Sequence, residues 1–129
     1  MKKLILFLTA ALLLTGCVGK SGESTYRQIT MEEAVTMMKE ESGYLILDVR
    51  TAGEYSEKHI PGAINIPNET IGAGDIPELP DKEQLILVYC RSGNRSKQAA
   101  EKLAALGYTN VVEFGGINDW TGETVSGEE

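Results

Sequence analysis

Two short, unbroken apolar runs constrain this chain more than any other feature. Tyr44-Leu45-Ile46-Leu47-Asp48-Val49 is the first, with an acid near its end, and Leu85-Ile86-Leu87-Val88-Tyr89 is the second. Neither alternates with polar residues, so both faces of each segment call for burial. Strands of that kind suit a parallel sheet, which needs crossover connections, usually helices. Helical patterns flank them. Thr30-Met31-Glu32-Glu33 has the form of a capping box, and the helix it opens presents Ala34, Val35, Met37 and Met38 and ends near Ser42-Gly43. Ala99, Ala100, Leu103, Ala104 and Leu106 form a second helical stripe, with Gly107 placed to close it. Asn110-Val111-Val112-Glu113-Phe114 reads as a strand ended by Gly115-Gly116, and Ala63-Ile64-Asn65-Ile66 as a shorter one between Pro61 and Pro67. The order helix–strand–strand–strand–helix–strand predicts an α/β fold with a mainly parallel sheet. At 129 residues the chain has room for one such domain.

Ligands bind parallel sheets beyond the carboxyl ends of their strands. Asp48 and Cys90 stand at or just past such ends, so one sheet edge can hold both. Cys90-Arg91-Ser92-Gly93-Asn94-Arg95-Ser96 joins the second run to the start of a helix. A helix N-terminus offers unpaired N–H groups and a positive dipole end. Gly93 permits a positive φ that curls the backbone toward the sulfur. Arg91 and Arg95 add positive charge. Each feature favours thiolate over thiol, and the thiolate is the nucleophile. The curled N–H groups also make an anion-holding nest. A buried structural cysteine beside a basic surface loop is the alternative; position, glycine and two arginines together favour the reactive one.

The N-terminus differs from the rest. Lys2 and Lys3 precede an apolar run from Leu4 to Leu14, broken only by Thr9. The run is too short to cross a bilayer of about 30 Å, which takes roughly 20 residues, but it has the length of a signal-peptide core. Leu14-Thr15-Gly16-Cys17 resembles the bacterial lipobox, whose cysteine is acylated and becomes the new N-terminus. The resemblance implies a lipid anchor at Cys17 and a place on the bacterial cell membrane, facing the extracytoplasmic side. More than one acyl chain makes such attachment stable. With Cys17 lipidated, Cys90 is the only free thiol, and no internal disulfide can form between the chain's two cysteines. The net charge of −7 argues against nucleic acid as a partner. The expected organisation is a signal peptide over 1–16, a flexible lipid-anchored linker over 17–28, the folded domain over 29–125 and an acidic tail over 126–129.

Residues 29–125 resemble a single rhodanese domain. Cys90 to Ser96 matches that family's active-site loop, Cys-x-x-Gly-x-Arg-Ser. Asp48-Val49-Arg50, Glu54-Tyr55 and His59-Ile60-Pro61-Gly62-Ala63-Ile64-Asn65-Ile66-Pro67 match a second signature, and Gly115-Gly116-Ile117-Asn118-Asp119-Trp120 a third. The resemblance implies a rhodanese-like α/β fold, with a central mostly parallel sheet of about five strands and helices on both faces. It implies a sulfurtransferase that takes a sulfane sulfur from thiosulfate or a persulfide donor. A Cys90 persulfide would then pass that sulfur to a thiol or cyanide acceptor. Cys90 and Arg95 would carry the chemistry. Arg91, Ser92, Gly93, Asn94 and Ser96 would form the substrate cradle, and Asp48 and Arg50 would shape the pocket. No metal or organic cofactor is implied, and a monomer is expected.

Four residues separate Cys90 from Arg95, where the related cysteine-dependent phosphatases have five. The shorter loop suits one sulfur atom better than a tetrahedral phosphate, which argues against phosphatase or arsenate reductase activity. A sulfur- or redox-relay module without steady turnover remains an alternative. Asp48 and Arg50 are read equally well as a structural ion pair tying two loops. Glu54 reads as a helix-face or loop-bracing charge, His59 as part of a structural turn, and Trp120 as a packing aromatic. Ile71 to Pro77 is expected to border the pocket mouth or pack beside it. Thr121-Gly122-Glu123-Thr124-Val125 departs from the family's longer, proline-containing ending and leaves the last turn open.

Overall fold

The computed structural model describes residues 25–72 and 74–127. Among them, five strands form a parallel sheet: β1 (Arg27–Gln28), β2 (Leu45–Asp48), β3 (Ile64–Asn65), β4 (Ile86–Cys90) and β5 (Val111–Gly116), in the order β1-β5-β4-β2-β3. Three helices accompany them: α1 (Met31–Glu40), α2 (Ala52–Glu57) and α3 (Asn94–Ala105). The expected signal peptide, Cys17 and most of the expected linker lie outside the described residues, as do Glu128 and Glu129. Among the described residues no helix is long and apolar enough to cross a membrane.

The two apolar runs become neighbouring central strands, with Leu45 opposite Ile86 and Asp48 opposite Tyr89. Their period of two sends alternate side chains to opposite faces. Leu47, Val49, Ile86, Val88, Cys90 and Val111 pack with Ala99, Ala100 and Leu103 of α3. Ile46, Leu87, Tyr89, Val112 and Phe114 pack with Ala34 of α1 and its flanking methionines. Both faces are therefore covered, and each buried Leu, Ile or Val is worth about 1.5–3 kcal/mol. The capping box of α1 is present: Thr30 Oγ1 accepts from Glu33 N–H at 3.0 Å, and Glu33 accepts from Thr30 N–H at 2.8 Å. Ile71 and Leu79 are buried in the α3-side core, so the glycine-rich segment between β3 and β4 closes that face.

The structure also adds to the expected elements. Arg27 and Gln28, placed by the sequence in the linker, pair with Val112 and Glu113, so the sheet begins inside that segment. Helix α2 follows β2 and opens with its own capping box, Thr51 with Glu54. Strand β5 does not stop at Phe114 but runs through Gly115 and Gly116, where Gly116 pairs with Cys90. The ending is settled by two contacts with α2 and its flank. His59 and Val125 exchange backbone hydrogen bonds, and Gly127 N–H donates to Ser56 O. Trp120 packs against the α1-side core and donates from Nε1 to Glu123 O at 2.8 Å.

Candidate active site

Cys90 is the last residue of β4, is free, and is 1% exposed. Gly93, with φ +111°, caps α3 without any side-chain capping bond. That left-handed turn swings the Gly93 N–H toward Cys90 Sγ, 3.0 Å away. The sulfur thus sits at the positive end of a helix of twelve residues, in contact with a backbone donor. Ser96, fully buried on the first turn of α3, places Oγ 3.4 Å from the same sulfur.

Strand β5 shapes this turn from behind. A Cβ on Gly116 would stand 2.0 Å from Arg91 O and 2.6 Å from Ser92 N, so only glycine lets the strand lie against the loop backbone. Asn118 N–H donates to that Arg91 carbonyl at 3.1 Å. The Arg91 carbonyl is thereby engaged on the β5 side, while the Gly93 N–H faces the sulfur.

Arg95 leans across to α2. Its Nη1 and Nη2 donate to the two Glu54 oxygens at 2.8 and 3.2 Å, a bidentate pair. That bond first, against the opposing effect of partial burial, holds the Glu54 carboxyl down at about 2. The same bond raises the Arg95 guanidinium, with the nearby Glu54 and Cys90 charges adding to it. Glu54 therefore fixes the orientation of a loop arginine, a role the sequence reading covered only as a bracing charge. The signal was available: the Thr51-x-x-Glu54 box places the carboxylate on the first turn of α2.

The structure separates the remaining expected site residues. Gly93 and Ser96 contact the sulfur. Arg91, Ser92 and Asn94 are exposed at the rim of the loop. Asp48 and Arg50 make their bonds elsewhere. Asp48 lies opposite Tyr89 in the sheet, one residue before Cys90, and so points to the other face. It accepts from Tyr89 Oη at 2.6 Å and from Arg50 Nη2 at 2.7 Å, while Arg50 also donates to Lys58 O at 2.7 Å. Burial opposes the Arg50 charge, but the Asp48 hydrogen bond and charge outweigh it and raise the group. Burial, then Asp48, pushes the Tyr89 hydroxyl up. The geometry is that of the ion pair tying two loops. His59 is fully buried, stacked on Tyr55 with centroids 3.7 Å apart, and its Nδ1 lies 2.8 Å from Tyr55 O. These are packing contacts, as a structural turn requires.

One residue near the sulfur was read only as part of a strand. Glu113 on β5 is 2% exposed, and its Oε2 lies 2.5 Å from Ser96 Oγ. Its parity gives it away: it alternates with Val112 and so points into the α3 face, where a charge needs a reason.

The model of the rhodanese-like domain family matches residues 30–123. A model of the prokaryotic membrane lipoprotein lipid attachment site matches residues 1–17. The chain is 41% identical over 73 residues to thiosulfate sulfurtransferase PspE of Escherichia coli K12, covering 57% of this chain and 70% of that protein. It is 32% identical over 109 residues to thiosulfate sulfurtransferase GlpE of Pseudomonas entomophila, covering 81% and 96%. Several longer relatives are spanned over only 24% to 54% of their own length. Among solved structures, a rhodanese with anions from E. coli superposes with a TM-score of 0.60 at 38% identity, over 65% of this chain and 99% of that one.

Proposed function

The chain belongs to the rhodanese-like domain family, and from that premise we propose that its sulfurtransferase activity runs through a persulfide on Cys90. The Cys90 thiolate attacks the outer sulfur of thiosulfate. A sulfur–sulfur bond forms at Sγ, the bond within the donor breaks, and sulfite leaves with the electron pair. A thiolate or cyanide acceptor then attacks the outer sulfur of the persulfide and returns Cys90 as thiolate. The observation that carries this reading is the Gly93 N–H directed at Sγ from 3.0 Å, at the N-terminus of α3. A preorganised donor there stabilises an anionic sulfur before and after transfer. Arg95, held by Glu54, supplies a fixed positive charge beside the cradle, and the exposed Arg91, Ser92 and Asn94 meet the incoming anion.

The lipid attachment site supports a further part of the proposal. Acylation at Cys17 ties the domain to the membrane on its extracytoplasmic side and leaves Cys90 as the only free thiol. Intact mass after incubation with thiosulfate tests the chemistry. The protein gains the mass of one sulfur atom and loses it to cyanide, and Cys90→Ser gains nothing. An unmodified parent protein after treatment with thiosulfate and with a persulfide donor would refute the proposal.

A further inference from the structure

We propose that the C-terminal segment Val125–Gly127 is a positioning element of the active site: it holds α2 in place, and α2 in turn keeps Glu54 on Arg95. The inference rests on the reading of Cys90 as the reacting sulfur with Arg95 beside it. It begins from what holds α2. The helix has six residues, and none of them is fully buried. A helix that short is unstable on its own hydrogen bonds. Its first turn has the Thr51–Glu54 capping box, but the carbonyls of a last turn find no partner within their own helix. Those of Tyr55 and Ser56 are met from outside. His59 Nδ1 lies 2.8 Å from Tyr55 O, and Gly127 N–H donates to Ser56 O at 2.8 Å.

The tail also fixes His59. Val125 O accepts from His59 N–H at 2.8 Å, and Val125 N–H donates to His59 O at 2.9 Å. The buried His59 ring lies flat on Tyr55, whose hydroxyl donates to Ala63 O at 2.6 Å. Three backbone bonds from Val125 and Gly127 therefore act on α2, one at Ser56 and two through His59.

Glu54 stands next to Tyr55 on this helix. Its Oε1 accepts from Thr51 N–H at 3.0 Å and from Arg95 Nη1 at 2.8 Å, and its Oε2 from Arg95 Nη2 at 3.2 Å. The Arg95 and Glu54 side chains are 31% and 26% exposed, and a pair that open to water is worth little by itself. It does not hold α2 in place; it depends on α2 being held. A guanidinium has five N–H groups in one plane. With two of them on Glu54, the plane is set, and the rest keep one direction relative to the cradle. Arg95 is the second residue of α3, on the turn whose Gly93 N–H faces the sulfur. Released from Glu54, it keeps its charge and loses its direction, and its side chain must be ordered anew for each anion.

Two variants test this. A chain ending at Thr124 loses all three bonds. Gly127→Pro removes the N–H given to Ser56, and a proline φ of about −65° cannot follow the glycine's +77°. The first readout is the NMR signals of the Arg95 guanidinium at neutral pH, with no sulfur donor present. In the parent protein the bidentate pair should slow rotation about the Cζ–Nη bonds and give resolved Nη–H signals. In both variants, as in Glu54→Gln, they should merge. The second readout is single-turnover persulfide formation in ~1 M salt, where charges are screened beyond about 3 Å and orientation still counts. The half-saturating thiosulfate concentration should rise about fivefold in the shortened chain, the ordering cost of one side chain. The limiting rate should be kept, because Gly93 N–H still faces Sγ. In a Glu54→Gln background, shortening should add nothing. Signals already merged in the parent, or still resolved in the shortened chain, overturn the proposal. So does an unmoved half-saturating concentration, or a rise that persists without Glu54. If the shortened chain does not fold, Gly127→Pro decides on both readouts. If the parent forms no persulfide, the Cys90 reading falls, and the guanidinium signals still decide whether the tail holds the pair.

Discussion

Alanine at Gly116 puts the shaping of the Cys90 loop from behind to a quantitative test. The backbone there is ordinary extended strand, with φ −140° and ψ 157°, so alanine brings no conformational strain of its own. Its Cβ would stand 2.0 Å from Arg91 O, 2.3 Å from Arg91 C and 2.6 Å from Ser92 N. Since Cβ contacts under 3.0 Å are essentially never seen, the loop and strand must part by at least the difference. The obstructing atoms are backbone and cannot rotate aside. Two residues farther on, Gly93 N–H stands 3.0 Å from the sulfur, so a shift of ~1 Å passed along the loop breaks that bond. Overpacking of this kind costs about 1–3 kcal/mol, and a 1 Å misplacement of a reacting group costs about 100-fold in rate. Single-turnover persulfide formation with thiosulfate measures the rate, and urea unfolding measures the stability. Gly53→Ala is the control, because its Cβ meets nothing within 4 Å. A Gly116→Ala protein that forms persulfide at the parent rate would refute the reasoning. Loss of stability alone would show that the strain relaxes away from the sulfur.

Three other outcomes follow from contacts described above. Glu54 titrates at about 2 in the folded protein against 4.5 unperturbed, so its pairing with Arg95 stabilises above pH 4.5 and is lost as pH falls toward 2. Glu54→Gln keeps the capping oxygen and should cost about 1 kcal/mol in urea unfolding at neutral pH, the value of a partly exposed pair, with the difference vanishing near pH 2. Tyr89→Phe removes the hydroxyl that joins Asp48 to Ile60 N–H in the buried cluster. Denaturant titration should show a loss of about 1–3 kcal/mol, with the persulfide rate unchanged because Cys90 faces the other way. Gly122→Ala would put a Cβ 2.7 Å from Trp120 Cζ2. The fluorescence of this single tryptophan should shift to the red as the indole is displaced.

The sheet and the loop were legible because their signals are local. An unbroken apolar run names a two-sided strand, and Gly93 between a strand and a helix names a turn with positive φ. Helix α2 was hidden by its length of six residues, too short for periodicity, and by Gly53, a poor helix former. Only its capping box announced it. Arg27 and Gln28 look like linker because an edge strand held by β5 needs no apolar side chains of its own. Gly115 and Gly116 read as a stop, since nothing in the sequence reveals that Arg91 will lie against Gly116. For Asp48 and Arg50 the sequence leaves a pocket role and a structural ion pair equally open, for want of register. Once Asp48 lies opposite Tyr89, its face is fixed, and it is the face away from Cys90. Glu113 was legible in principle, as an acid at an inward position of a buried strand, but its partner Ser96 lies seventeen residues away on another element.

The near-complete burial of Cys90 bears on which sulfurs it can meet. A disulfide between two proteins brings two Cβ atoms to about 3.8 Å. Two folded copies side by side on a membrane cannot approach that closely with both sulfurs beneath their own loops. A slender anion needs no such approach of two backbones and meets the exposed Arg91, Ser92 and Asn94 first. The cradle is thus a gauge of width, and it keeps the Cys90 thiol from being spent on its neighbours.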